Sequence, residues 1–173
     1  SIKVGCKNSN ENMTGLIWNS LSSPISNWYS VTYGNNMFVA VAYGGTNRAM
    51  YSYDGITWTS VYVVTNEWRD VTYGKNMFVA VAQTGTNRAM YSYDGINWTT
   101  TSAVDNSWFG VTYGNNMFVA VAQGGDGNRA MYSYNGINWT TTPTVSNSWT
   151  SVTYGNNMFV AVGQTGTNRV MYS

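Results

Sequence analysis

The chain has 173 residues, of which 9% are charged, eight basic against seven acidic, and it contains eight tryptophans, 18 glycines, one cysteine and no histidine. That length supports one well-buried core without covalent staples, the balanced charge excludes a basic stripe for nucleic acid, and the absence of imidazole removes the commonest general base and metal ligand. The longest apolar runs, such as residues 77–82, fall far short of the ~20 residues of a spanning helix, so neither membrane insertion nor a cofactor is expected.

In chain order, residues 1–12 read as an extension that precedes a single repetitive domain over residues 13–173. Within the extension, Ser1-Ile2-Lys3-Val4-Gly5-Cys6-Lys7 alternates apolar with polar residues and predicts a spare strand, which could cover its own edge or add to a neighbour's. Gly15-Leu16-Ile17-Trp18 then stands in phase with Gly55-Ile56-Thr57-Trp58. From there the period is plain: Trp28, Trp68, Trp108 and Trp149 are separated by 40, 40 and 41 residues, the extra residue falling in the Gly124-Gly125-Asp126-Gly127 stretch. The second unit shows the pattern best. Strands are predicted over residues 68–74 and 77–82, joined by a Gly-Lys-Asn turn, then over 89–93 and 96–100 around Asp94-Gly95. The chain ends on Met171-Tyr172-Ser173, in phase with Met50-Tyr51-Ser52.

These elements predict an all-β fold of four-stranded antiparallel meanders. The second strand of each unit is apolar at every position and must be covered on both faces, whereas Ile96 and Trp98 alternate with Asn97 and Thr99. Twisted sheets stacked face to face satisfy both patterns, and four such units make a four-bladed β-propeller. The N-terminal segment supplies an outer strand without its first three, and the C-terminus supplies three without the fourth. Ring closure by pairing of the two is the expectation, and the same phasing would let one chain complete the next.

The segments Tyr51-Ser52-Tyr53-Asp54-Gly55-Ile56-Thr57-Trp58 and Tyr91-Ser92-Tyr93-Asp94-Gly95-Ile96-Asn97-Trp98 resemble the Asp-box, or BNR, repeats of sialidase-like propellers. With the preceding Val-Thr-Tyr-Gly-Asn-Asn-Met-Phe-Val-Ala-Val they are similar to the repeats of bacterial propellers related to the photosystem assembly factor. The resemblance implies that Asp54 and Asp94 close a turn and that Trp58, Trp98 and Trp139 pack between blades. Asn135 stands where the third unit would have its aspartate, and the Asp-to-Gly spacing is one shorter than in the usual box.

Sialidases of that superfamily use a convergent arginine cluster and paired acidic groups. Here Arg48, Arg88, Arg129 and Arg169 recur once per unit and would be spread around the axis, and Glu67, Asp70, Asp105 and Asp126 fall at non-equivalent loop positions. An enzyme is not expected. The meander puts the arginines on one face with Tyr43, Gln83, Gln123 and Gln164, near Tyr29, Arg69, Phe109 and Thr150, and this is the expected ligand-binding surface. Its competing reading is that the arginines bond neighbouring blade carbonyls. Trp28, Trp68, Trp108 and Trp149 are candidates for a sugar-stacking platform or for core. Sequons at Asn12, Asn97 and Asn138 are candidate glycosylation sites. The expected function is a non-enzymatic, extracellular or surface-associated module binding glycans multivalently, with other proteins as alternative partners. A self-assembling structural subunit of a fibre, sheath or particle is the second reading.

Overall fold

A computed structural model describes residues 18–125 and 127–173. They form fifteen strands and no helix: β1 (Asn27–Gly34), β2 (Met37–Gly44), β3 (Ala49–Ser52) and β4 (Thr59–Val61); β5 (Trp68–Gly74), β6 (Met77–Ala82), β7 (Ala89–Ser92) and β8 (Thr99–Thr101); β9 (Trp108–Gly114), β10 (Met117–Ala122), β11 (Ala130–Ser133) and β12 (Thr140–Thr142); and β13 (Trp149–Gly155), β14 (Met158–Gly163) and β15 (Val170–Tyr172). Each group is one antiparallel meander, three of them four-stranded and the last three-stranded among the described residues. The first two strands of each meander join through a two-residue turn whose residues, Asn35-Asn36 in the first unit, hold φ of 47° and 58°. Asparagine tolerates this left-handed backbone, whose twist matches that of the hairpin.

The meanders stack as blades. The four innermost strands, β1, β5, β9 and β13, pack side by side in sequence, and β5, β9 and β13 also lie against the second strand of the blade before. The second strands are the core of the stack: every residue of β6 is buried, as the uninterrupted apolar run requires. The predicted fourth strand begins later than its alternation suggested. Residues 96–98 belong to the turn after β7, and only Thr99–Thr101 pair with it, because Asp94 folds the segment back on itself before the ladder can start.

A glycine-tyrosine fit locks blade to blade. A Cβ at Gly34 would lie 2.0 Å from Cγ of Tyr73, at Gly74 2.1 Å from Tyr113, and at Gly114 2.1 Å from Tyr154. Each tyrosine ring therefore occupies the space that a side chain on the preceding blade would need. The next member of the series, Gly155, has no neighbour within 4 Å. No comparable packing joins β13 to β1, and Trp18, expected as the latch in the outer strand beside β15, is 90% exposed. The described residues thus form an open arc of four blades, and the expected intrachain closure is not seen in them. Gly15, Leu16, Ile17, the 1–7 strand and Cys6 lie outside the described residues.

Candidate functional site

The loop face is organised by a bulge. In every blade the first strand slips register against the second, leaving Tyr29, Arg69, Phe109 and Thr150 without a partner, and the first blade slips a second time between Asn27 and Trp28. A bulge re-aims a side chain out of the sheet alternation, and here it brings three of the four together. The Arg69 guanidinium carbon lies 4.8 Å from the Tyr29 ring centroid, 5.0 Å from Phe109 and 4.7 Å from Tyr43, which arrives from the end of β2. Tyr29 and Tyr43 meet edge to face at 5.8 Å. Arg69 donates through Nε to Gln83 Oε1 at 2.9 Å and through Nη2 to the same oxygen, and it stands 3.6 Å from Glu67. The result is a cation held among three aromatic rings at the centre of the first three blades. Beside it, Gln123 donates to Gln164 at 3.5 Å. Of the residues expected on this surface, Tyr29, Tyr43, Arg69, Gln83 and Phe109 meet in one cluster, and Gln123 and Gln164 meet each other.

The four repeated arginines bond to backbone carbonyls of the loops that follow the second strands. Arg48 donates to the carbonyls of Gly45 and Tyr43 and, across the blade boundary, to Asn66 at 2.8 Å. Arg129 repeats the pattern with Gly125, Gln123 and Asn147 at 2.6 Å. Arg88 donates to Gly85 and faces Asp105 at 3.7 Å, and Arg169 donates to Gly166. They shape the loops that follow the second strands, and Arg48 and Arg129 also tie each loop to the following blade. The competing reading of these residues is the one the geometry supports.

The tryptophan platform is also corrected. Trp68, Trp108 and Trp149 are 0% exposed, with each indole N–H donating to a carbonyl four residues earlier, at Val64, Val104 and Val145. Trp28 is half-buried and donates to the Pro24 carbonyl. The sealed rings of Trp68, Trp108 and Trp149 offer no face to a sugar. Of the three tryptophans that the resemblance placed between blades, Trp98 and Trp139 pack against clusters that include the preceding blade, whereas Trp58 meets Phe38 of its own blade.

On the opposite face the turns after the third strands are closed by side chains. Asp54 Oδ1 accepts from the Ile56 and Thr57 N–H groups at 2.8 and 2.7 Å and from the Ser52 hydroxyl at 2.9 Å. The Thr57 and Ile56 amides are the main reason its carboxyl titrates at about 2. For Asp94, burial opposes ionisation, but bonds from the Asn97 backbone and side chain, Ile96 and Ser92 prevail and again set about 2. Asn135 makes the same turn with an amide oxygen, 3.0 Å from the Ile137 N–H and 2.9 Å from that of Asn138. Asn97 and Asn138 are exposed here, in the turn rather than in a rim strand, and Asn97 Nδ2 donates to Asp94 at 2.7 Å. Asn12 lies outside the described residues.

Asp70 was expected in a loop and is not. It sits in β5 with one oxygen accepting from the Ser30 hydroxyl at 2.6 Å and the Val71 N–H at 2.9 Å, and the other from the Val111 N–H at 2.9 Å. One carboxylate thereby bridges three blades. Burial raises its pKa against the pull of those three donors. The equivalent positions hold Ser30, Gly110 and Ser151, so nothing in the repeat marks Asp70 as a clamp; the bulge that turns it inward is the missing signal. Among the described residues no group of three His, Cys, Asp or Glu side chains could hold a metal ion.

No family profile and no curated protein sequence matches the chain. Solved structures do match it by shape. The computationally designed Ika4 protein superposes with a TM-score of 0.67 at 16% identity, over 88% of this chain and 95% of that one. Virginiamycin B lyase from Staphylococcus aureus superposes at 0.69 and 17% identity, over 89% of this chain and 57% of that one. YCF48 bound to D1 peptide does so at 0.61 and 14%, over 90% and 52%. The chain therefore has the repeated-blade architecture of β-propellers, and it spans about half the length of the two natural neighbours. At these identities the likeness defines the fold alone.

Proposed function

We propose that the chain is a non-enzymatic recognition propeller, working outside the cell, whose loop face binds neutral, hydroxyl-rich ligands with glycans as the first class to test. The observation that carries this reading is the bulge-built cluster of Tyr29, Tyr43, Arg69, Gln83 and Phe109. Aromatic rims beside amide groups suit the apolar face and the hydroxyls of a sugar ring, and Gln123 and Gln164 extend the amide surface. The turn chemistry of Asp54 and Asp94 supports kinship with Asp-box repeats. Catalysis has little to work with: Asp54 and Asp94 are committed to turns, Asp70 is enclosed by its donors, and Glu67 and Asp105 face arginines. A catalytically inactive histidine variant of the virginiamycin B lyase is known, and this chain contains no histidine.

A glycan array probed with the intact chain and with Tyr43→Ala tests the reading. Binding that Tyr43→Ala lowers at least tenfold, with the melting midpoint unchanged, is the expected result. An array without hits from a folded chain would refute the glycan assignment, and retention of a peptide instead would move the same face to protein recognition.

A further inference from the structure

We propose that a second copy of this chain docks head to tail on the free blade faces, and that two copies close one eight-bladed ring. The contact needed is already made three times inside the chain. At each internal boundary the following blade contributes a tyrosine over a glycine and a buried valine, and at the first two it also contributes the turn bearing a tryptophan. Val71, Val111 and Val152 are 4%, 4% and 9% exposed in this position, whereas Val31 of the first blade is 60% exposed. Tyr33, the counterpart of Tyr73, Tyr113 and Tyr154, and Ile56, the counterpart of Ile96 and Ile137, are likewise exposed. The fourth blade presents the other half. Gly155 is an empty tyrosine seat, and Val162 is 45% exposed where Val41, Val81 and Val121 are sealed.

The leading face of the chain and its trailing face are therefore the two halves of one complementary contact, carried by near-identical sequence. A second copy is the partner that brings both. A heterologous contact either closes or runs on as a fibre. The four blades cover 57% and 52% of the chains of the two natural propellers they overlay, and a ring of two such arcs is the closed form that the proposal takes.

The proposal also fills a slot. Between the third and fourth blades lies a cavity of about 400 Å³ lined by Met117, Val119, Val121, Phe159, Ala161 and Met171. At the two earlier boundaries the same ground is taken by the turn of the following blade: a Cβ on Gly95 would touch Val39 at 2.9 Å and Met37 at 3.1 Å, and one on Gly136 would touch Met77 at 2.7 Å. Trp98 and Trp139 pack in with those turns. Trp18 precedes Trp28 by ten residues, as Trp98 precedes Trp108. A second copy seated on the fourth blade thus delivers its Trp18 to the open slot.

Sedimentation velocity of the full chain across a hundredfold concentration range tests this. The expected species has twice the 19.1 kDa chain mass, and its proportion rises with concentration. Gly155→Leu, which meets no atom within 4 Å in the single chain, should leave the circular dichroism and the dilute-solution melting midpoint intact while weakening association at least a hundredfold. Tyr33→Ala and Trp18→Ala should each weaken it tenfold or more. A single-chain mass at every concentration overturns the proposal. So does a Gly155→Leu chain that melts early at dilution, because the seat would then be filled within one chain, and so do open-ended polymers, which would mean that the arc does not close in two.

Discussion

Asp94 and Asp70 are both aspartates in the second blade, and they should respond to pH in opposite directions. The folded state lowers Asp94 to about 2, so it binds protons less readily than the unfolded chain, whose aspartates titrate near ~3.9. Its stabilisation is complete above that value and is lost as pH falls towards 2. Burial raises Asp70, so its contribution is complete below ~3.9 and is lost as pH rises through its higher folded value. Urea unfolding at a series of pH values should therefore show Asp94→Asn flattening the acid limb and Asp70→Asn flattening the loss above pH ~4. Asp94→Asn should otherwise be mild, since Asn135 already makes this turn. Asp94→Ala removes the acceptor altogether and should cost about 1 kcal/mol, the usual effect of losing a cap of this kind. Asp70→Ala should cost more, about 1–3 kcal/mol for each buried donor left bare, with the Ser30 hydroxyl and the Val111 N–H the main ones. Asp94 was legible in the sequence because an Asp-Gly pair between two apolar runs has a local meaning. Asp70 was not, because its role depends on strands 40 residues away on either side.

The strands were legible for a similar reason: their hydrophobic patterns and their turns are local, and β5, β6 and β7 begin where the sequence places them. The bulge at Tyr29, Arg69, Phe109 and Thr150 was invisible, because a single unpaired residue leaves the hydrophobic pattern on both sides intact. The role of the repeated tryptophans was open in the sequence and is fixed by packing, since each indole finds its acceptor four residues back and needs no water. Trp108→Ala should cost about 3–5 kcal/mol, which chemical denaturation can measure directly. The tyrosine seats make a sharper test. Gly74→Ala forces a methyl to within 2.1 Å of the Tyr113 ring and should destabilise by about 1–3 kcal/mol through overpacking. Gly155→Ala, at the same position of the repeat, should leave the dilute chain unchanged. If the two substitutions proved equal, the ring of Tyr113 would not be the cause.

At the scale of the whole molecule, the described residues of each blade pack against the adjacent blades, so among them the two end blades have one neighbour where the middle two have both. How many blades complete a turn was not legible, because a spacing of 40 residues is the same in a small ring and in a large one; curvature is set by the tilt between sheets. Local stability should follow the number of neighbours. Hydrogen exchange at low concentration is expected to be slowest in β6 and β10 and fastest in β14 and β15, and uniform protection across the four blades would contradict an open arc. The meanders also run in chain order without a crossover, and that gives the molecule a mechanical character. A chain held by its two ends in an optical trap would be loaded in series, one sheet after another, with no strand threaded through a distant one. Under tension it should yield in discrete rips, each releasing one repeat of 40 or 41 residues, or ~130–150 Å of contour at the reach of an extended backbone.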